Sequence, residues 1–150
     1  MDNSQEEQAE QLVEAFELFD DWDDKYSFLI DLGRKLPPLD EAAKTEENRI
    51  QGCQSMVWIV TQAHTKDGQI LLDFRADSDS AIVKGLIAIL RKVYAEQPPE
   101  KILAFDIEGL LERLELSRHL SLNRRNGLLG MVQRIKQDAV RMAARPAQSA

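Results

Sequence analysis

The sequence predicts an α+β fold, a small three-stranded antiparallel sheet packed with N-terminal and C-terminal helices. Three observations predict it. Apolar residues recur at helical spacing near the start of the chain and again over its last half. Between those regions lies a run rich in β-branched and aromatic residues, Met56-Val57-Trp58-Ile59-Val60-Thr61. The Asp67-Gly68 pair that follows it is a strong short-range signal for a tight hairpin.

Taken in order, residues from about Ser4 to Phe19 place Leu12, Val13, Phe16 and Phe19 on one stripe with Glu and Gln between them, which predicts an amphipathic helix. After the acidic Asp20-Asp21-Trp22-Asp23-Asp24, a second stripe of Tyr26, Leu29, Ile30, Gly33 and Leu36 has acids at its start and Arg34-Lys35 at its end. That charge placement complements a helix dipole. Pro37-Pro38 stops this helix, and a polar connector reaches about Asn48. Arg49-Ile50-Gln51 is read as a short first strand, Met56–Thr61 as the second and Ile70–Phe74 as the third, with the hairpin joining the last two.

Beyond Ala76 the chain turns helical again, capped by Ser78 or Ser80, with Val83, Leu86, Ile87, Leu90 and Tyr94 forming one face. Pro98-Pro99 opens a short helix through Leu103. Asp106 caps another, with Ile107, Leu110, Leu111 and Leu114 inward, and the last carries Leu128, Met131, Val132, Ile135, Ala139 and Met142. The tail after Arg145 is expected to be loose.

A length of 150 residues with 43% hydrophobic content suits one domain over the whole chain. The net charge of -7 disfavours nucleic acid and anionic membrane surfaces as partners. No apolar run approaches the roughly 20 residues that a bilayer span requires. The N-terminus is acidic where a signal peptide is basic and then apolar, so a cytoplasmic location is expected. A single cysteine cannot form an internal disulfide, and it cannot by itself supply the several thiolates of a structural zinc or iron–sulfur site.

That cysteine, Cys53, follows Gly52 and precedes Gln54-Ser55 at a predicted turn between strands, where loop N–H groups are free to face a sulfur anion. Two readings stand: a reactive thiol, or a small buried hydrophobe. A reactive thiol needs help, because at an ordinary pKa of about 8.5 only a few per cent is thiolate at pH 7, and the thiolate is the nucleophile. Asp77-Ser78-Asp79 carries oxygen ligands at close spacing, but the helix that begins just after it favours capping over metal binding. Trp58, alternating with Val57 and Ile59, is expected to place its ring in the core and support the loop. His64 and His119 are the only histidines that could serve Cys53 as a base.

Asn48-Arg49-Ile50-Gln51-Gly52-Cys53-Gln54-Ser55-Met56-Val57-Trp58-Ile59-Val60 resembles the signature of the SufE family of sulfur acceptors, which includes its CsdE branch. Three further blocks resemble SufE segments in the same order. They are Asp21–Tyr26 with Leu29–Gly33, Ala76–Leu86, and His119–Leu128. The resemblance implies a fold like that of the iron–sulfur scaffold proteins. It also implies that Cys53 takes the terminal sulfur of a persulfide on a pyridoxal-phosphate cysteine desulfurase, stimulates that enzyme, and passes the sulfur to an iron–sulfur scaffold or another thiol acceptor. The chain then acts as a sulfur-transfer partner more than as an independent enzyme, and it needs no cofactor of its own because the pyridoxal phosphate belongs to the desulfurase.

The same resemblance suggests Arg124 as the cation that steadies a thiolate or persulfide, since a guanidinium stays protonated. Arg125 departs from the small residue expected there and is read as surface charge. Gly52, Gln54 and Ser55 form the rest of the loop, and Asp77 and Asp79 are expected to shape the cavity or partner surface beside it. The competing functions are a stand-alone thiol enzyme using Cys53 with His119, and an adaptor or cluster scaffold, for which a homodimer would supply a second cysteine.

Overall fold

A computed structural model describes residues 4–51 and 56–144. Two helices come first, α1 (Ser4–Glu17) and α2 (Trp22–Arg34). The Asp21 carboxylate accepts the Asp24 N–H at 2.9 Å and so satisfies a donor that the first turn of α2 leaves open. A connector with one 3-10 turn (Glu41–Ala43) leads to the strands β1 (Val57–Lys66) and β2 (Gln69–Ser78). Asp67 and Gly68 both have positive φ, 53° and 77°, as a two-residue hairpin turn matched to strand twist requires. The helices α3 (Ala81–Tyr94), α4 (Pro99–Ala104), α5 (Ile107–Arg113), α6 (Leu116–His119) and α7 (Leu122–Ala144) complete the chain.

The α+β class stands, but the described residues form two strands where three are expected. Arg49-Ile50-Gln51 contributes a single antiparallel bridge, Arg49 to Trp58, in place of a ladder. The Ile50 N–H donates to the Val57 carbonyl at 2.8 Å and the Ile59 N–H to the Asn48 carbonyl at 2.9 Å. Upstream the segment is already bent by the turn bonds of Asn48 and Arg49 to Thr45 and Glu46, so pairing stops after one bridge. Three smaller differences follow from local chemistry. Strand β2 runs on to Ser78, leaving Ser80 as the cap of α3, where its hydroxyl accepts the Val83 N–H at 3.3 Å. Helix α1 ends at Glu17. Helix α6, unforeseen, starts where Glu115 takes the left-handed conformation at φ 62°.

The sheet's inner face carries Val57 and Ile59 from β1 and Leu72, Phe74 and Ala76 from β2, all buried in one core with Leu86, Leu90 and Val93 of α3. Helices α2 and α3 meet at two glycines. A Cβ on Gly33 would lie 2.7 Å from the Gly85 nitrogen, and one on Gly85 would strike the Leu29 carbonyl. Helix α7 lies against α4, α3 and β1. Its Asp138 carboxylate accepts the Thr61 hydroxyl at 2.5 Å, and Arg141 pairs with the same carboxylate. No helix among the described residues is long and apolar enough to cross a membrane.

Candidate functional site

Gly52, Cys53, Gln54 and Ser55 lie outside the described residues. Their flanks are well defined. The chain leaves the sheet at Ile50 and returns at Val57 through the reciprocal bonds given above. One residue further toward the loop, the Met56 N–H donates to the Asp79 carboxylate at 3.1 Å, and the Met56 carbonyl accepts the Asp79 N–H at 3.2 Å. Asp79 thus holds Met56 through both side chain and backbone. Ile50 is buried against α7, where a Cβ on Gly130 would come 2.5 Å from its Cγ2.

Asp77 stands opposite Trp58 in the strand register, on the outer face of the sheet. The Lys44 ammonium lies 3.1 Å from its carboxylate and 5.4 Å from the centre of the Trp58 ring, and Lys84 approaches the carboxylate at 3.7 Å. Burial works against the Asp77 charge. The Lys44 hydrogen bond, the Ser78 N–H at 2.8 Å and the two ammonium charges outweigh it, so the carboxyl titrates below its ordinary value. Lys44 is correspondingly raised, first by its hydrogen bond to Glu41 and then by that to Asp77. Trp58 corrects the core expectation, because alternation puts its ring on the outer face, half-buried beneath Lys44, while Val57 and Ile59 point inward. Lys44 escapes sequence reasoning, since a lysine among the acids of a polar connector gives no sign of its distant partner.

Further along the same outer face, a cavity of about 530 Å³ opens between the connector and the sheet. Pro38, Leu39 and Ala43 form one wall and Val60, Gln62 and Arg75 part of the other.

Arg124 is half-buried in the first turn of α7, its N–H donating to the Ser121 hydroxyl at 3.3 Å. Six residues separate it from Gly130, so it lies about 9 Å along the helix axis from the Ile50 contact, at ~1.5 Å per residue. Arg125 is no free surface charge. The turn into α7 brings it beside α6, where its guanidinium is half-buried and donates to the Ser117 carbonyl.

Both histidines are occupied elsewhere. His64 meets Glu96 at 2.9 Å and sits seven residues along β1 from Val57, roughly 23 Å at ~3.3 Å per residue. The His119 ring stacks on Trp22 with centres 3.9 Å apart, and its carbonyl accepts the Tyr26 hydroxyl. Among the described residues no three His, Cys, Asp or Glu side chains are grouped to hold a metal ion. Asp77 and Asp79 are engaged by lysines and by Met56 respectively.

Comparison with known proteins agrees with the fold. The family model for SufE, described as an Fe-S metabolism associated domain, matches residues 10–139. An uncharacterized SufE-like protein of Rhizobium etli is 40% identical over 136 residues, covering 90% of this chain and 92% of the relative. A second, from Rhizobium meliloti, is 38% identical over 130 residues, covering 87% and 93%. The solution structure of a hypothetical protein from Thermus thermophilus superposes with a TM-score of 0.69, at 20% identity, over 92% of this chain and 97% of that one.

Proposed function

This chain belongs to the SufE family, associated with iron–sulfur metabolism and sulfur transfer, and from that premise we propose that Cys53 accepts persulfide sulfur from a cysteine desulfurase. The Cys53 thiolate attacks the terminal sulfur of the donor persulfide. The donor's sulfur–sulfur bond breaks as the new one forms, and the donor cysteine leaves as a thiolate that takes a proton from solvent. Sulfur changes carrier with no net oxidation. Cys53 then gives up that sulfur to an iron–sulfur scaffold or another thiol acceptor by the same exchange, and its departure relieves the desulfurase and stimulates turnover.

The family match over residues 10–139 carries this reading. The flanks support it, since a loop that must present one sulfur atom to another protein benefits from rigid anchors at both ends. Arg124 is the proposed partner of the sulfur anion, Asp79 the anchor of the returning strand, and Asp77 with Lys44 the brace beneath it. Gly52, Gln54 and Ser55, next to the thiol in the sequence, complete the proposed site. Alanine release by a cysteine desulfurase, measured with and without this chain, tests the proposal. Wild type raises turnover and Cys53→Ser does not; equal stimulation by both would overturn the role of the thiol.

A further inference from the structure

Two segments that the sequence singles out, Asp21–Tyr26 and His119–Leu128, meet in the fold across 93 residues of chain. Only the second has a place in the proposed sulfur transfer, through Arg124. Trp22 stacks on the His119 ring with centres 3.9 Å apart, and the Tyr26 hydroxyl donates to the His119 carbonyl. Trp22 and Tyr26, four residues apart on one face of α2, also pack edge-on at 5.4 Å, and all three rings are half-buried. Helix α6 needs this hold. It is a single turn, entered through Glu115 in the left-handed region, and so short a helix leaves its carbonyls without internal partners. The Leu116 carbonyl takes the Leu120 N–H at 3.1 Å, that of Ser117 takes the Arg125 guanidinium, and that of His119 takes Tyr26. Two residues later Ser121 starts α7. Its carbonyl accepts the Arg125 N–H at 2.9 Å and its hydroxyl the Arg124 N–H at 3.3 Å. At ~100° per residue, Arg124 falls within about 40° of Leu128, Met131 and Ile135, which are all buried. Its side chain therefore leaves α7 on the core side, at the open end of that stripe. It is half-buried and pairs with no acid among the described residues.

We propose that Tyr26, steadied by Trp22, is a positioning residue for Arg124: it pins the last carbonyl of α6 and so holds the first turn of α7 in the rotation that keeps the guanidinium on the core side. The inference rests on the reading of Arg124 as the partner of the sulfur anion. The first turn of a helix has the fewest internal bonds, so the direction of Arg124 is set by the α6–α7 corner more than by α7 itself. That corner is held from within by Ser121 and Arg125 and from outside by α2. Tyr26 has no chemical part in the exchange and acts through Arg124. Without its hydroxyl the ring stack remains, but the corner loosens and the guanidinium turns to solvent.

The test reads the Cys53 thiol of the full chain with no desulfurase present, as the rate and pH midpoint of its alkylation by iodoacetamide. A thiolate steadied by a cation forms at lower pH. Arg124→Ala therefore slows alkylation at pH 7 at least fivefold and moves the midpoint up. Tyr26→Phe slows it at least threefold and moves the midpoint the same way, with unchanged circular dichroism. Ser121→Ala, which frees the Arg124 N–H at an exposed position, does the same and carries the test should Tyr26→Phe lose the fold. In the Arg124→Ala chain, Tyr26→Phe adds nothing, because its effect passes through the missing guanidinium. Gly68→Ala, a strained turn far from this corner in sequence, leaves the rate unchanged. Wild-type alkylation in both Tyr26→Phe and Ser121→Ala, or a Tyr26→Phe effect that adds in full to that of Arg124→Ala, overturns the positioning role and leaves Arg124 in place. Wild-type alkylation in Arg124→Ala overturns both. Neither outcome involves sulfur uptake, so failure of the transfer reading shows separately.

Discussion

The two ends of the β1–β2 hairpin are built from the same ladder and held by different means. At the end that includes Met56 and Asp79, cross-chain bonds run from Asn48, Ile50 and Asp79 into the strands, a Lys44–Asp77 ion pair spans the outer face over Trp58, and α7 presses on Ile50. At the other end the strands run out into solvent from Gln62 to Gln69, joined by a two-residue turn and steadied by the His64–Glu96 contact. A ladder needs only the second kind of closure to exist. The extra fastening at the first end lies on both sides of residues 52–55, and under the proposed function it serves presentation of the thiol more than strand pairing.

Substitutions at each end separate stability from sulfur uptake. Gly68→Ala at the free end forces an alanine to φ 77° with open space around it, so the cost is backbone strain of about 1–2 kcal/mol. Thermal denaturation should record that loss while sulfur uptake from a desulfurase stays at the wild-type rate. Asp79→Ala at the fastened end removes one exposed hydrogen bond, worth about 1 kcal/mol. Its melting temperature should fall no further than that of Gly68→Ala, yet sulfur uptake should drop severalfold. A reversed pattern would break the comparison.

Asp77→Asn has the smallest effect at neutral pH and a characteristic pH dependence. The carboxyl is lowered in the folded protein, so its charge contributes stability above the ordinary carboxylate value, and that contribution is lost as pH falls through the lowered one. The stability difference between wild type and Asp77→Asn, followed by denaturant titration, should be constant from pH 7 to about 5 and disappear under stronger acid. A difference that persists unchanged there would remove the Lys44–Asp77 pair from the account.

The sequence made much of this visible where local chemistry decides. Asp67-Gly68 has no better use than a tight turn, and Asp21, Ser80 and Asp106 cap the helices that their positions announce. Long-range geometry was hidden. Arg49-Ile50-Gln51 has strand-like neighbours, but the turn just before it leaves room for one bridge. Trp58 has the composition of a core residue, while its parity in the strand assigns it outward, and Lys44 becomes informative only when the connector folds over the sheet. Asp79 was marked by its place in a matching block, without any indication that it grips Met56.

Intact-protein mass spectrometry after incubation with a cysteine desulfurase, pyridoxal phosphate and cysteine tests the central claim most directly. Wild-type chain should gain the mass of one sulfur atom, removed by a reducing thiol and mapped to the peptide that contains Cys53, and Cys53→Ser should gain none. A wild-type chain that stays at its original mass, or a Cys53→Ser chain that acquires the sulfur, would contradict it.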